Sequence, residues 1–137
     1  MVDTNVLLDL VLIRDGFKEA SMLLELAKQK KIKVLIALHS YTNLWYITTQ
    51  KLKISPTKVL TSLSKIKSLT EILPIHDNVL EMSLQNPNPD FEDALILYAA
   101  RDNAATKVIS NDLKMVRSNI TPCCSPGEFL EEKFYTE

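Results

Sequence analysis

Apolar residues follow two rhythms along this chain, helical spacing over long stretches and short unbroken runs between them. After Asn5 the chain is nearly all apolar to Ile13, with Asp9 alone interrupting, which predicts a short buried helix ended by Arg14-Asp15-Gly16. From Phe17 to Lys30, Ala20, Leu23, Leu24 and Ala27 recur at helical spacing, Met22 and Leu26 broaden the stripe, and Lys18 and Glu19 lie outside it. Lys33 to Ala37 is short, branched and bounded by charge, the pattern of a buried strand. It delivers the chain to Leu38-His39-Ser40, where a helix opens and runs to about Gln50.

The alternation continues downstream. Ser55-Pro56 predicts a helix start, with a capping hydroxyl and proline at the first helical position, and that helix reaches about Leu69. Thr70 to Leu73 reads as a strand closed by Pro74, and a helix follows from Asp77 to about Gln85. Asn86-Pro87-Asn88-Pro89 is a loop, because a residue before proline is pushed out of the helical region. Asp90-Phe91-Glu92-Asp93-Ala94 opens the next helix, Lys107 to Ser110 reads as a strand, and a short strand is expected from Thr121 to Cys124. Ser125-Pro126-Gly127-Glu128 carries the spacing of a capping box ahead of a terminal helix. Strands alternating with helices imply parallel pairing. The expected fold is α/β, a three-layer α/β/α sandwich around a central, mainly parallel sheet of four to five strands. No repeat, low-complexity tract or long linker divides the chain, so residues 1–137 read as one domain.

Composition narrows the function classes. The 137 residues suffice for a sizeable core, and 46% hydrophobic with 24% charged residues fits a soluble globular chain. No apolar run approaches the roughly 20 residues that span a bilayer, and no segment reads as a signal peptide. Cys123 and Cys124 are the only cysteines; being adjacent they cannot staple the fold, and a reducing cytoplasm is expected. Neither do they suggest zinc, since both would need distant partners and the chain has two histidines. The net charge of −1 hides an asymmetry: residues 26 to 70 carry nine lysines and no Asp or Glu, while the ends hold all 17 acids. A basic middle beside acids suits a polyanion, and lysines on solvated helix faces explain it equally well.

Asp3, Asp93 and Asp112 stand at comparable junctions, where a strand ends or a helix begins. Taken alone, Asp3-Thr4-Asn5 reads as a helix cap. Taken together, carboxylates converging at one end of a sheet cannot all stay ionised unless a cation screens them. Hard divalent cations accept few protein carboxylates, keep several waters and share a substrate phosphate. Such a cation supplies the hydrolytic nucleophile, so no histidine base is required. Asp90 and Glu92 are further candidates for the cluster, although Asp90 serves equally as an N-cap. His39 and His76 have no nucleophile partner that sequence can identify, and surface or capping roles are expected for both.

Asp3-Thr4-Asn5, Asp90-Phe91-Glu92-Asp93-Ala94 and Ile109-Ser110-Asn111-Asp112 resemble successive motifs of PIN domains, and the resemblance extends to Ser125-Pro126-Gly127-Glu128-Phe129-Leu130. It implies a Mg²⁺- or Mn²⁺-dependent ribonuclease, often the toxin of a bacterial toxin–antitoxin pair, held by a cognate antitoxin protein and often a homodimer. By position, Asp3, Asp93 and Asp112 match three acids of the metal site. Asn5 and Ser110 match polar residues that orient ligands or waters, and Thr4 joins them as surrounding support. Many PIN domains place a Glu early in the helix after the second strand, where this chain has Asn43 in Ser40-Tyr41-Thr42-Asn43-Leu44-Trp45-Tyr46; the Thr-Asn with aromatics itself looks like a branch of the family. Asn43 is expected to act as auxiliary ligand or substrate contact, with weaker metal affinity or a single metal. The family's first strand is usually longer than Met1-Val2, so this strand is short or the start lies upstream.

Three functions compete. The favoured one is a metal-dependent endoribonuclease using Asp3, Asp93, Asp112 and Asn43. The second is a PIN module that binds RNA or protein without cutting, motivated by Asn43. The third, a phosphatase with Asp3 as nucleophile, is weaker because Asn5 stands where such enzymes carry a second Asp. Tyr41, Trp45 and Tyr46 are expected in the core or a dimer interface ahead of a base-stacking role.

Overall fold

A computed structural model describes residues 1–135, leaving residues 136 and 137 of the expected domain outside the described residues. The elements are α1 (Thr4–Leu12), α2 (Phe17–Lys28), β1 (Leu35–Ala37), α3 (Leu38–Trp45), α4 (Pro56–Leu69), β2 (Glu71–Leu73), α5 (Asp77–Gln85), α6 (Phe91–Asp102), β3 (Val108–Ile109), α7 (Leu113–Val116), β4 (Cys123–Cys124) and α8 (Pro126–Tyr135). The helices follow the apolar periodicity closely. α7, four residues long, is too short to leave a periodic signature and was not expected.

The strands depart from expectation. Where the sequence predicts one sheet of four to five strands, the described residues form two two-stranded parallel sheets, β1 with β2 and β3 with β4. The expected first strand is reduced to Val2, an isolated bridge beside Ile109. The Val2 amide donates to Leu35 O, the Ile109 amide to Met1 O, and the Asp3 amide to Ile109 O, each at 2.8–2.9 Å. Met1 to Asp3 therefore lie between the two strand pairs and bond to both.

Successive strand residues point to opposite faces, and the core divides accordingly. Val2, Ile36, Ile109 and Cys124 join one apolar cluster with residues of α1, α2, α3, α4 and α8. Met1, Ala37, Leu73 and Val108 join a second with residues of α5, α6 and α7. Helices thus cover both faces of the strands, as an α/β fold requires. The helix ends complete the frame. Ile13 closes α1 in the left-handed conformation, φ 52°, with its side chain 73% exposed. The terminal capping box forms as expected: Glu128 Oε2 accepts from the Ser125 amide and hydroxyl, and the Glu128 amide donates back to Ser125 Oγ. Pro56 takes the first position of α4, but the Ser55 hydroxyl makes no capping bond.

The helix expected to reach Gln50 changes pitch. After Trp45 it widens into a π-helical segment over Tyr46–Lys51. The Thr48 hydroxyl donates to Leu44 O at 2.6 Å and that of Thr49 to Trp45 O at 2.7 Å. Side-chain donors that take these carbonyls compete with the regular backbone ladder.

Candidate active site

The strands run parallel, so their carboxyl ends share one edge, the place where open α/β sheets bind ligands. Asp3 leaves the Val2 bridge there and Asp112 follows β3. Asp3 is buried; its Oδ1 accepts from the Thr4 amide at 2.7 Å, and its Oδ2 accepts from Ser110 Oγ at 2.9 Å. The cap reading of Asp3 is realised on one carboxylate oxygen, while Ser110 holds the other.

Ser110, fully buried, is the hub. While donating to Asp3, its hydroxyl accepts from Asn5 Nδ2 at 3.2 Å and from the Asp112 amide at 3.0 Å. Asn5 Oδ1 accepts from the Asn111 amide at 3.2 Å, and Asn111 Nδ2 donates to Asp9 Oδ2 at 2.9 Å. Asp9 also holds Arg14 at 2.8 Å. These bonds fasten the turn after β3 onto the first helix. Sequence reasoning missed the part played by Asp9 and Asn111; a lone acid in an apolar run was the available signal. The Thr4 hydroxyl donates to Ser40 Oγ at 2.8 Å, tying α1 to the first turn of α3.

Asp112 caps α7 through Oδ1, which accepts from the Lys114 amide at 2.8 Å. Asp90 caps α6, its Oδ1 accepting from the Asp93 amide at 2.9 Å. Asp93 itself lies in the first turn of α6, half-buried. Burial, then the charges of Asp90, Asp112 and Asp3, pushes the Asp93 carboxyl up to about 7. Burial also raises Asp3, against the hydrogen bonds from Ser110 and Thr4, and the charges of Glu92 and Asp112 add to the rise. The charge of Asp112 thus bears on both other predicted acids, and that of Asp3 on Asp93.

Among the described residues no three His, Cys, Asp or Glu side chains stand in metal-holding geometry. The donor chemistry nonetheless fits a hard divalent cation, which takes one or two carboxylates and fills the rest of its shell with water and phosphate. Carboxylates that obstruct one another's ionisation are the environment such a cation relieves.

Asn43 is engaged with an acid through its amide nitrogen. Its Nδ2 donates to Glu92 Oε1 at 3.0 Å. Asn5 likewise spends its amide on Ser110, and offers no acid for phosphatase chemistry. Tyr41 and Trp45 pack against the first core cluster, while Tyr46 is exposed with the Lys51 ammonium 5.6 Å from its ring centre. Lys31 and Lys33, from the basic middle, line a cavity with Met1, Lys107 and Lys133 at the starting ends of the strands, away from the acids.

Helices on both faces of short parallel strands define an α/β domain. Residues 1–114, which include Asp3, Asp93 and Asp112, match the family model for the PIN domain; the chain belongs to the PIN domain family, whose members are generally nucleases. No curated protein matches the chain.

Proposed function

We propose that this PIN domain, taken as one unit over residues 1–137, is a Mg²⁺- or Mn²⁺-dependent endoribonuclease that hydrolyses RNA phosphodiesters. The observation carrying the proposal is the Ser110 hydroxyl, which joins Asp3 to the turn bearing Asp112, with the charges of both acids bearing on Asp93. Asp3, Asp93 and Asp112 would hold the cation, which when bound activates water for attack and neutralises charge building on the phosphate. Ser110 and the Thr4 amide fix the Asp3 carboxylate so that it need not reorganise when ligands arrive. Asn5 and Asp90 set the neighbouring turns, through Asn111 and the Asp93 amide.

The resemblance to toxin members supports a role as the toxin of a bacterial pair, cytoplasmic, homodimeric and restrained by an antitoxin protein. No helix among the described residues is long and apolar enough to cross a membrane. An overlapping gene for a small DNA-binding protein would support that role. The direct test incubates purified protein with structured RNAs and Mg²⁺ or Mn²⁺. Cleavage is expected to stop with chelator and to fall at least a hundredfold in Asp3→Asn, the scale of losing one preorganised electrostatic group. Cleavage that ignores both changes overturns the proposal.

A second reading, an RNA- or protein-binding module without hydrolysis, is favoured by the neutral Asn43 committed to Glu92. RNA retention without cleavage, indifferent to Mn²⁺, would establish it.

A further inference from the structure

Glu92 lies beside Asp93 in the first turn of α6, with its side chain about half exposed. A glutamate so placed ordinarily samples many rotamers, and holding one costs side-chain entropy. Here two residues of α3 converge on a single oxygen. Asn43 Nδ2 donates to Glu92 Oε1 at 3.0 Å, and His39 Nε2 stands 3.9 Å from the same atom. His39 and Asn43 are four residues apart and face the same way from their helix. His39 Nε2 is itself buried and has no hydrogen-bond partner among the described residues, and that carboxylate stands beside it. A bond to a charged acceptor is stronger than a neutral one, which offsets the cost of ordering the side chain.

The arrangement leaves Glu92 Oε2 without a hydrogen bond among the described residues. Glu92 is close enough to Asp3 for its charge to act there. Asn43 and His39 therefore orient an anion at the rim of the acid cluster, one that the three-acid reading does not use.

We infer that Glu92 is a fourth acid of the cation site, with Asn43 and His39 as positioning residues that act through it. The inference rests on the metal-dependent reading above. It assigns Asn43 an indirect part: its amide serves the cation by aiming Glu92, not by offering its own oxygen. It also makes α3 and α6 joint suppliers of the site, bridged across 49 positions of sequence.

The test is Mn²⁺ titration by calorimetry, with electron paramagnetic resonance of free Mn²⁺ as a second readout, on the whole chain and its variants. Glu92→Gln is expected to weaken Mn²⁺ binding at least tenfold, the usual scale for a group that supports a metal site. Asn43→Ala and His39→Ala are each expected to weaken it less. Either alanine placed in the Glu92→Gln background should add nothing further, because their effect passes through the missing carboxylate. Circular dichroism confirms that each variant is folded, and Glu92→Asp, which keeps the charge on a shorter arm, should recover part of the affinity. Unchanged or tighter Mn²⁺ binding by Glu92→Gln, with binding lost in Asp3→Asn, overturns the inference and leaves the metal-dependent reading standing. Additive losses from Asn43→Ala and Glu92→Gln overturn the positioning role. Failure of the unaltered chain to bind Mn²⁺ at millimolar concentration overturns both.

Discussion

Ser110 uses its hydroxyl to capacity, one bond given and two received, which is all a serine side chain offers. Replacing it with alanine leaves a buried carboxylate oxygen, a carboxamide and a backbone amide short of partners at once. Ser110→Ala is expected to cost about 1–3 kcal/mol in chemical denaturation, the penalty for stranding buried polar groups. A loss within 0.5 kcal/mol, the range of an ordinary surface change, would contradict the hub. Sequence reading found Ser110 through the motif it shares with PIN domains, and Asp3 and Asp93 by their junctions. It did not find the bonds among them, because the Ser110 to Asp3 contact spans 107 positions and exists only once Val2 lies against Ile109. Glu92 was visible as one acid among several. Its fixed orientation was not, since nothing local to Asp90-Phe91-Glu92-Asp93 encodes Asn43 and His39 arriving from another helix.

The helices other than α7 were legible because they carry at least two turns of apolar periodicity, and their ends fall close to where capping residues and prolines place them. The strands, two or three residues long, are shorter than any period can register, so their existence was readable and their grouping into two sheets was not. Helix ends also hold a strain that composition conceals. A β-branched residue in the left-handed region costs about 2 kcal/mol, and glycine relieves this while adding about 1 kcal/mol of chain entropy to the unfolded state. The Ile13 side chain is mostly in solvent, so little burial is lost on removing it. Ile13→Gly is therefore expected to stabilise the protein by about 1 kcal/mol, read as a raised thermal midpoint. A lowered midpoint would show that the side chain packs better than its exposure implies. The π-helical segment after Trp45 was equally unreadable, since it depends on which carbonyls Thr48 and Thr49 select.

At the scale of the molecule, the gathered acids set a pH dependence. In the folded chain Asp93 keeps its proton to about 7, against an ordinary value of 3.8. The stabilisation linked to that proton is complete below the unfolded value and is lost as pH rises through about 7. Chelated protein should thus lose stability from this group between pH 4 and 8. Asp93→Asn should melt above its parent at pH 8 and lose that advantage near pH 4; an equal gap at both pH values would contradict the linkage. The same global assembly bears on biosynthesis. Met1 to Asp3 are translated more than a hundred residues ahead of the backbone they bond to at Ile109 and of the hydroxyl that orients Asp3. A nascent chain can build α1, α2 and α3 while the Asp3 carboxylate waits for Ser110 and Asp112. Whatever chemistry the cluster performs is withheld until those residues have been made, so a product truncated ahead of them lacks it.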